Sequence, residues 1–287
     1  KRIWKKSQSA LITFSHMVVD GKAIAEKIKT SLREEVLRSG KKLRLAVIVV
    51  GGDAVTEKFL EQKKKFAAAI GVDVRVYDFP ADISTTKLRE KVSEIVHIKE
   101  NTGVIIQLPL PSHINTPYIL DAIMPEKDPD LLSSKSWGAF VAGKNKILPP
   151  VVGAIKKIFQ EYDIEPKGKS IAVIGTGRLV GKPAALWLMS EGATVTVIDE
   201  NSLHPARYTL HADIIISGVG KAGLITRDMV KEGAVIIDAG TSESGGSIKG
   251  DVEADAAERA SVFSPVPGGV GPVAVAMLFQ NLATLAK

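Results

Sequence analysis

Lys63 is the residue of this chain whose surroundings in sequence point most directly to chemistry. Phe59, Lys63, Phe66 and Ile70 recur at i, i+4, i+7 and i+11, which puts all four on one face of a helix. A lone ammonium on such a stripe has two fates. It snorkels to water on its methylene stem, or it stays partly desolvated, where its pKa falls and it can act as acid or base near neutral pH. Lys64 and Lys65 lie off the stripe and read as solvated charges. Gln107 closes the apolar run that begins at Val104, and Asp130 sits in Lys127-Asp-Pro-Asp-Leu131. Gln107 is either a loop hydrogen-bonder or a group facing the crevice beyond the carboxyl ends of a parallel sheet, where ligands gather. Asp130 is either the carboxylate of an Asx-turn or part of a site.

A second constellation follows the apolar run Ser170 to Ile174. Gly175-Thr176-Gly177-Arg178-Leu179-Val180-Gly181 reads G-x-G-x-x-x-G, one residue longer than the common dinucleotide fingerprint. A Gly-rich turn between a buried strand and a helix N-terminus cradles a pyrophosphate with backbone N–H groups; the alternative is a packing turn between helix and strand. The next apolar strand, Thr194 to Ile198, ends in Asp199-Glu200, where a carboxylate can hold the hydroxyl pair of a ribose. Two carboxylates there repel a 2′-phosphate unless a cation intervenes, which favours NAD over NADP. Arg178, His204 and Arg207 are the candidate cations. A third signal is Ser264-Pro-Val-Pro-Gly-Gly-Val-Gly-Pro272, which leads into an apolar helix. Its glycines and prolines fix an irregular backbone that a flat ligand can approach closely.

The elements that must carry these groups alternate. Asp20 caps a helix running to about Arg38 and closed by Gly40; Asp53 opens a second helix that Gly71 ends; a third runs from Ser84 to about Ile98. Between them lie apolar strands at 45–50, 72–79 and 103–108. A helix from about Val151 to Tyr162 leads to a second alternating unit, with strands at 170–174, 194–198, 212–217 and 234–238. Strands separated by amphipathic helices predict parallel sheets. The expected fold is α/β with two α/β domains and a cleft between them. Residues 17–149 form a catalytic domain, completed by a C-terminal helix at 272–287, and 150–271 form a Rossmann-like cofactor domain.

Composition narrows the partners. The 287 residues contain no cysteine, so disulfides and thiolate metal sites are absent and a cytoplasmic setting fits. No metal site is expected, and no apolar run approaches the roughly 20 residues a membrane span needs. Of the net charge of +6, four units come from Lys1, Arg2, Lys5 and Lys6, leaving +2, which calls for no nucleic acid. Residues 1–16 read as a transit remnant or a cloning scar, with Met17 as the favoured native start.

Taken together, these residues resemble the bifunctional methylenetetrahydrofolate dehydrogenase/methenyltetrahydrofolate cyclohydrolase family. The likeness runs from about Val18 to Ala286. It rests on Lys63 with Lys65 and Gly71, Val104-Ile-Ile-Gln-Leu-Pro-Leu-Pro-Ser-His-Ile114, Asp128-Pro-Asp130, Gly175 to Pro183, Gly218-Val-Gly-Lys-Ala-Gly-Leu-Ile225 and Pro267-Gly-Gly-Val-Gly-Pro272. The resemblance implies oxidation of 5,10-methylenetetrahydrofolate with NAD or NADP, then hydrolysis of the methenyl product to 10-formyltetrahydrofolate. That places the chain in one-carbon metabolism, with purine biosynthesis as a use of the product, and implies a homodimer paired through the cofactor domain. It makes Lys63 the catalytic residue of hydrolysis, Gln107 its hydrogen-bond partner and Asp130 the group that holds the pterin. Phe59, Ile106, Leu108, Pro267, Gly268, Gly269, Val270 and Gly271 are then expected to bind folate. Gly175, Thr176, Gly177, Arg178, Gly181, Asp199, Glu200, Gly218, Gly220 and Thr241 are expected to bind the cofactor.

The chain departs from the family pattern at several positions. Phe59 stands where the family has a tyrosine, removing a hydroxyl partner of the lysine, a loss of about 1 kcal/mol. Leu131 and Leu132 replace a glycine–aromatic pair, and Thr176 replaces an arginine tied to phosphate binding. Pro149-Pro-Val-Val152 and Ala274 also differ from the pattern. Two further readings follow from these departures: a dehydrogenase with weakened hydrolysis, and a folate- or dinucleotide-binding protein with little turnover.

Overall fold

The computed structural model describes residues 16–52, 54–244 and 247–287. Three parallel strands form the first sheet: β2 (Arg44–Val50), with β1 being Met17–Val18, flanked by β3 (Asp73–Phe79) and β4 (Gly103–Ile106), in the order β3-β2-β4. The connections are α1 (Gly21–Ser39), which precedes β2, then α2 (Ala54–Ile70) and α3 (Thr85–His97). Alternation along β2 explains why its run is apolar throughout. Ala46, Ile48 and Val50 pack with Leu88, Val92 and Val96 of α3, while Leu45, Val47 and Val49 face the opposite layer. A parallel strand covered on both faces has no polar side.

Between the sheets lie α4 (Thr116–Leu120), a 3-10 turn at Pro125–Lys127, α5 (Ser134–Val141) and α6 (Pro150–Glu161). The second sheet is built from β5 (Ser170–Ile174), β6 (Thr194–Ile198), β7 (Ile214–Ser217), β8 (Val235–Asp238) and β11 (Val262–Ser264). Its order is β1-β11-β8-β7-β5-β6, all parallel. The helices α7 (Gly181–Ser190), α8 (Ala206–Thr209) and α9 (Ala254–Ala257) and the hairpin β9 (Ser242–Ser244) and β10 (Ser247–Lys249) complete this half. The last helix, α10 (Val270–Leu285), returns to the first sheet. There Phe279 and Leu282 join Leu45 and Val47 in one core, and the Phe279 ring stacks on Phe66 of α2 at 5.4 Å.

Most predicted elements lie within a residue or two of their expected bounds, and their caps have the expected chemistry. Asp20 accepts the Ala23 N–H at 3.0 Å, and Gly40 closes α1 with a φ of 62°. Asp53, the expected opener of α2, lies outside the described residues. One expectation needs correcting. Met17 and Val18, assigned to the first domain, pair with Val262 and Phe263 of the second sheet, and His16 Nδ1 meets the Ala260 carbonyl oxygen at 2.9 Å. Two residues bear no periodicity, so only backbone pairing reveals their sheet. Among the described residues no helix is long and apolar enough to cross a membrane, and no cluster of His, Asp and Glu is arranged to hold a metal ion.

Candidate functional site

Lys63 takes the second of its two fates. The α2 stripe is pinned at its C-terminal end by Ile70, 1 % exposed, and by the Phe66–Phe279 stack. Lys63, half-buried, turns its amine to Gln107: Nζ donates to Oε1 at 2.7 Å. Gln107 is itself fixed. Its N–H continues the sheet by donating to Ile48 O at 2.8 Å, and its Nε2 donates to Leu108 O at 3.2 Å, which leaves Oε1 for the lysine. Lys65, by contrast, pairs with Glu61 in water, as expected of a group off the stripe. Phe59 stands half-buried one turn before Lys63; Ile106 is buried and Leu108 half-buried.

Asp130 is the charge neighbour of Lys63. One edge of Asp130 stays open while its carboxylate is surrounded by protein, and this burial pushes its pKa up to about 6. The Lys63 ammonium pulls it back and the Asp128 carboxylate pushes it further. Burial lowers the Lys63 pKa below the ordinary lysine range, and Asp130 raises it in return. The two groups move toward one another, so one proton can reside on either with a reduced penalty. Each acts on the other through charge, while the hydrogen bond of Lys63 goes to Gln107.

The loop that delivers Asp130 is held from three sides, and sequence reasoning missed the residues responsible. Asn281 of α10, 3 % exposed, donates from Nδ2 to Pro129 O at 2.9 Å and to Leu148 O at 2.8 Å. Lys127 Nζ donates to Val96 O and Ile98 O, both at 2.8 Å, closing the end of α3. Asp128 accepts the Leu132 and Ser133 N–H groups at 3.2 and 2.9 Å. An amide pair, Gln280-Asn281, in a mainly apolar helix was the available signal for Asn281. Leu131 has a φ of 55°, in the left-handed region, and is 1 % exposed. The resemblance expects glycine there; in this chain a buried leucine holds the left-handed conformation.

In the second half the Gly-rich turn has the expected form. Gly175 has a φ of 100° and its N–H donates to Ile198 O at 2.7 Å. Gly181, opening α7, approaches the Gly175 carbonyl so closely that any Cβ there would overlap it. Gly177 is open, with only Gly218 O (3.9 Å) near an added Cβ, so the concavity is free for a ligand. These residues fit a pyrophosphate held by backbone N–H groups. Thr176 and Arg178 are exposed, and Arg178 Nη1 reaches across to Leu132 O at 3.5 Å, beside the Asp130 loop. Gly218 and Gly220 lie in the loop after β7, and Thr241 follows β8.

Asp199 makes local contacts at the end of β6. Its carboxylate accepts the Asn201 N–H (3.0 Å), Asn201 Nδ2 (3.3 Å) and Ser202 Oγ (3.0 Å). The Asn201 side chain is the first cause of a pKa held below the usual carboxylate range. The group is engaged in its own turn, while Glu200 is exposed. In the 264–272 segment, Gly269 donates to Pro265 O and Gly21 to Gly268 O, both at 2.9 Å. Gly269 and Val270 are buried, which leaves Pro267, Gly268 and Gly271 as the open members. An open hollow of about 600 Å³ lined by Arg89, Glu90, His97 and Tyr118 contains none of these groups.

A parallel sheet whose Gly-rich turn fits a pyrophosphate, facing through Arg178 the loop that bears Asp130, has the form of a dinucleotide-binding α/β protein. Comparison with known proteins specifies it. Residues 19–130 match the model of the tetrahydrofolate dehydrogenase/cyclohydrolase catalytic domain, and residues 149–287 match its NAD(P)-binding domain. A relative from Sulfurihydrogenibium sp., the bifunctional protein FolD, is 40 % identical over 278 residues, covering 94 % of this chain and 98 % of that one. The crystal structure of the bifunctional enzyme FolD from Campylobacter jejuni is 34 % identical with a TM-score of 0.90, covering 95 % and 99 % of the two chains. The Trypanosoma brucei enzyme complexed with NADP cofactor and inhibitor is 33 % identical with a TM-score of 0.89, covering 94 % and 97 %. The chain belongs to the tetrahydrofolate dehydrogenase/cyclohydrolase family.

Buried carboxylates give this fold a pH signature. Asp238 on β8, 1 % exposed, is also pushed up to about 6 by burial. Both folded values, for Asp130 and Asp238, lie above the ordinary 3.8. These two groups therefore hold more protons in the native chain than in the unfolded one between about pH 4 and 6. Relative to the low-pH state, the stability these two groups contribute is lost as pH rises through that window, on the order of 3 kcal/mol per group. Urea unfolding at pH 5 and 7.5 is expected to show this loss, and Asp238→Asn is expected to flatten it. An undiminished slope in the variant contradicts the assignment.

Proposed function

We propose that the chain oxidises 5,10-methylenetetrahydrofolate to the methenyl form and hydrolyses that product to 10-formyltetrahydrofolate in one site around Lys63. The observation that carries this reading is the 2.7 Å bond between Lys63 Nζ and Gln107 Oε1, with Asp130 as the charge that acts on both ends of the proton exchange. The nicotinamide cofactor, when bound, accepts hydride from the one-carbon bridge. The carbon giving up hydride is flanked by two nitrogens whose lone pairs stabilise the resulting cation, so this step asks the protein chiefly for orientation. Hydrolysis asks for more. Water adding to the methenyl carbon must lose a proton, and a ring nitrogen must gain one before the bridge opens. Lys63, lowered by burial and held by a neutral amide, accepts and returns that proton, with Asp130 stabilising its charged form.

In this reading Phe59, Ile106, Leu108 and the open backbone of Pro267, Gly268 and Gly271 bind the folate. The loops at 175–181, 218–220 and 241 bind the dinucleotide. The finer cofactor choice is NAD, supported by the two carboxylates at the end of β6 and by Thr176 at a position where the family has an arginine. A homodimer and a cytoplasmic setting complete the proposal; β6, at the edge of its sheet with Val197 exposed, supports the former.

The test follows methylenetetrahydrofolate with NAD and with NADP, reading reduced cofactor and methenyl accumulation separately. Hydride transfer without lasting methenyl accumulation supports two activities. Accumulated methenyl product indicates that hydrolysis is lost, and absence of reduction overturns the reading. Phe59→Tyr restores a hydroxyl one turn from Lys63 and is expected to raise the hydrolysis rate about fivefold, the equivalent of one hydrogen bond of about 1 kcal/mol. Hydride transfer in the same variant is expected to change less than twofold.

A further inference from the structure

Asp251 joins the two loops that follow β7 and β8. It is 0 % exposed, and three donors converge on it. Ser217 Oγ donates to Oδ2 at 2.6 Å, the Val219 N–H to Oδ2 at 2.8 Å and the Lys221 N–H to Oδ1 at 2.7 Å. No ion pair with Asp251 occurs among the described residues, so its charge is held by these dipoles. Only a carboxylate can accept at both oxygens; an asparagine offers acceptors at one end and donors at the other.

The knot extends to the second loop. Gly240 packs on the Asp251 carboxylate so closely that any side chain there would overlap it. Asp238 accepts the Gly240 and Val252 N–H groups, both at 3.0 Å. Gly220 approaches Thr241 until an added Cβ would lie 2.9 Å from the Thr241 oxygen. On its other side the 217–221 loop meets the Gly-rich turn: a Cβ on Gly218 would overlap Val180, and one on Gly175 would lie 3.0 Å from Gly218 O. Three loops therefore keep one mutual arrangement, and Asp251 is the group that binds two of them together.

We propose that Asp251 is a positioning residue for dinucleotide binding: it holds loops 217–221 and 238–241 in the shape that receives a nicotinamide dinucleotide, and the folate half of the site does not depend on it. This rests on the reading of the second sheet as the cofactor side. The side chain contacts the loop backbone, so its effect is on cofactor affinity rather than on the reacting atoms.

The test uses the full chain and calorimetric titration with NAD, NADP and, separately, tetrahydrofolate, alongside thermal unfolding. Asp251→Asn is expected to raise the dinucleotide Kd and KM at least tenfold while the tetrahydrofolate Kd stays within twofold. An unchanged dinucleotide Kd, or equal losses for both ligands, overturns the proposal. Should Asp251→Asn fail to fold, Ser217→Ala decides, since it removes one of the three donors. A threefold or greater loss of dinucleotide affinity with tetrahydrofolate unaffected supports the role, and no loss overturns it. Wild-type protein that binds tetrahydrofolate but neither dinucleotide overturns the cofactor reading itself.

Discussion

Lys63→Met is expected to lower methenyltetrahydrofolate hydrolysis by about a hundredfold or more while hydride transfer stays within about tenfold of wild type. Methionine keeps most of the length and apolar character of the lysine stem, so the helix face beside Phe66 and Ile70 is retained. What disappears is the donor to Gln107 Oε1 and the positive charge beside Asp130. Without that charge the Asp130 pKa should rise further, because Lys63 is the group that lowers it. The carboxylate then becomes a neutral acid over more of the working pH range and cannot replace the lost base. Oxidation, which needs orientation more than proton transfer, is less affected. Following methenyl decay and cofactor reduction on one sample checks this; equal loss of both rates would falsify the role given to Lys63.

Gly181→Ala is expected to produce the opposite pattern. An added Cβ would overlap the Gly175 carbonyl oxygen, and neither a Cβ nor a backbone oxygen can rotate away. Either α7 shifts or the Gly-rich turn opens, at a cost of about 1–3 kcal/mol of strain. The concavity around Gly177 is lost in both cases. Dinucleotide affinity should fall at least a hundredfold and dehydrogenase activity with it. Hydrolysis of added methenyltetrahydrofolate requires no cofactor and should remain within about threefold. Dinucleotide binding near the wild-type level would contradict the placement of the pyrophosphate at this turn.

Much of this site was legible because its signals are local. The i, i+4, i+7, i+11 stripe placed Lys63, Phe66 and Ile70 together, and the same spacing set Lys65 apart as a solvated charge. Periodicity could not choose between a snorkelling and a desolvated lysine, because that choice depends on Gln107, 44 residues away. The electrostatic partnership with Asp130 was hidden for the same reason: Asp128-Pro-Asp130 reads as a self-contained turn. Asn281, clamping Pro129 and Leu148 from more than 130 positions away, had only its polarity in an apolar helix to mark it. Leu131 shows a different limit. A left-handed backbone usually announces itself as glycine, and here tertiary packing imposes it on a leucine. Asp199 was visible as a carboxylate at a strand end, yet the following Asn and Ser, equally visible, supply donors that engage it locally.

Hydrolysis depends most on the state of one amine, and direct titration of the Lys63 Nζ resonance by NMR, in wild type and in Asp130→Asn, measures it. The predicted result is a wild-type pKa below the ordinary 10.5, and a lower one still when the Asp130 charge is removed. A value near 10.5 in both proteins would show a solvated lysine and contradict the mechanism.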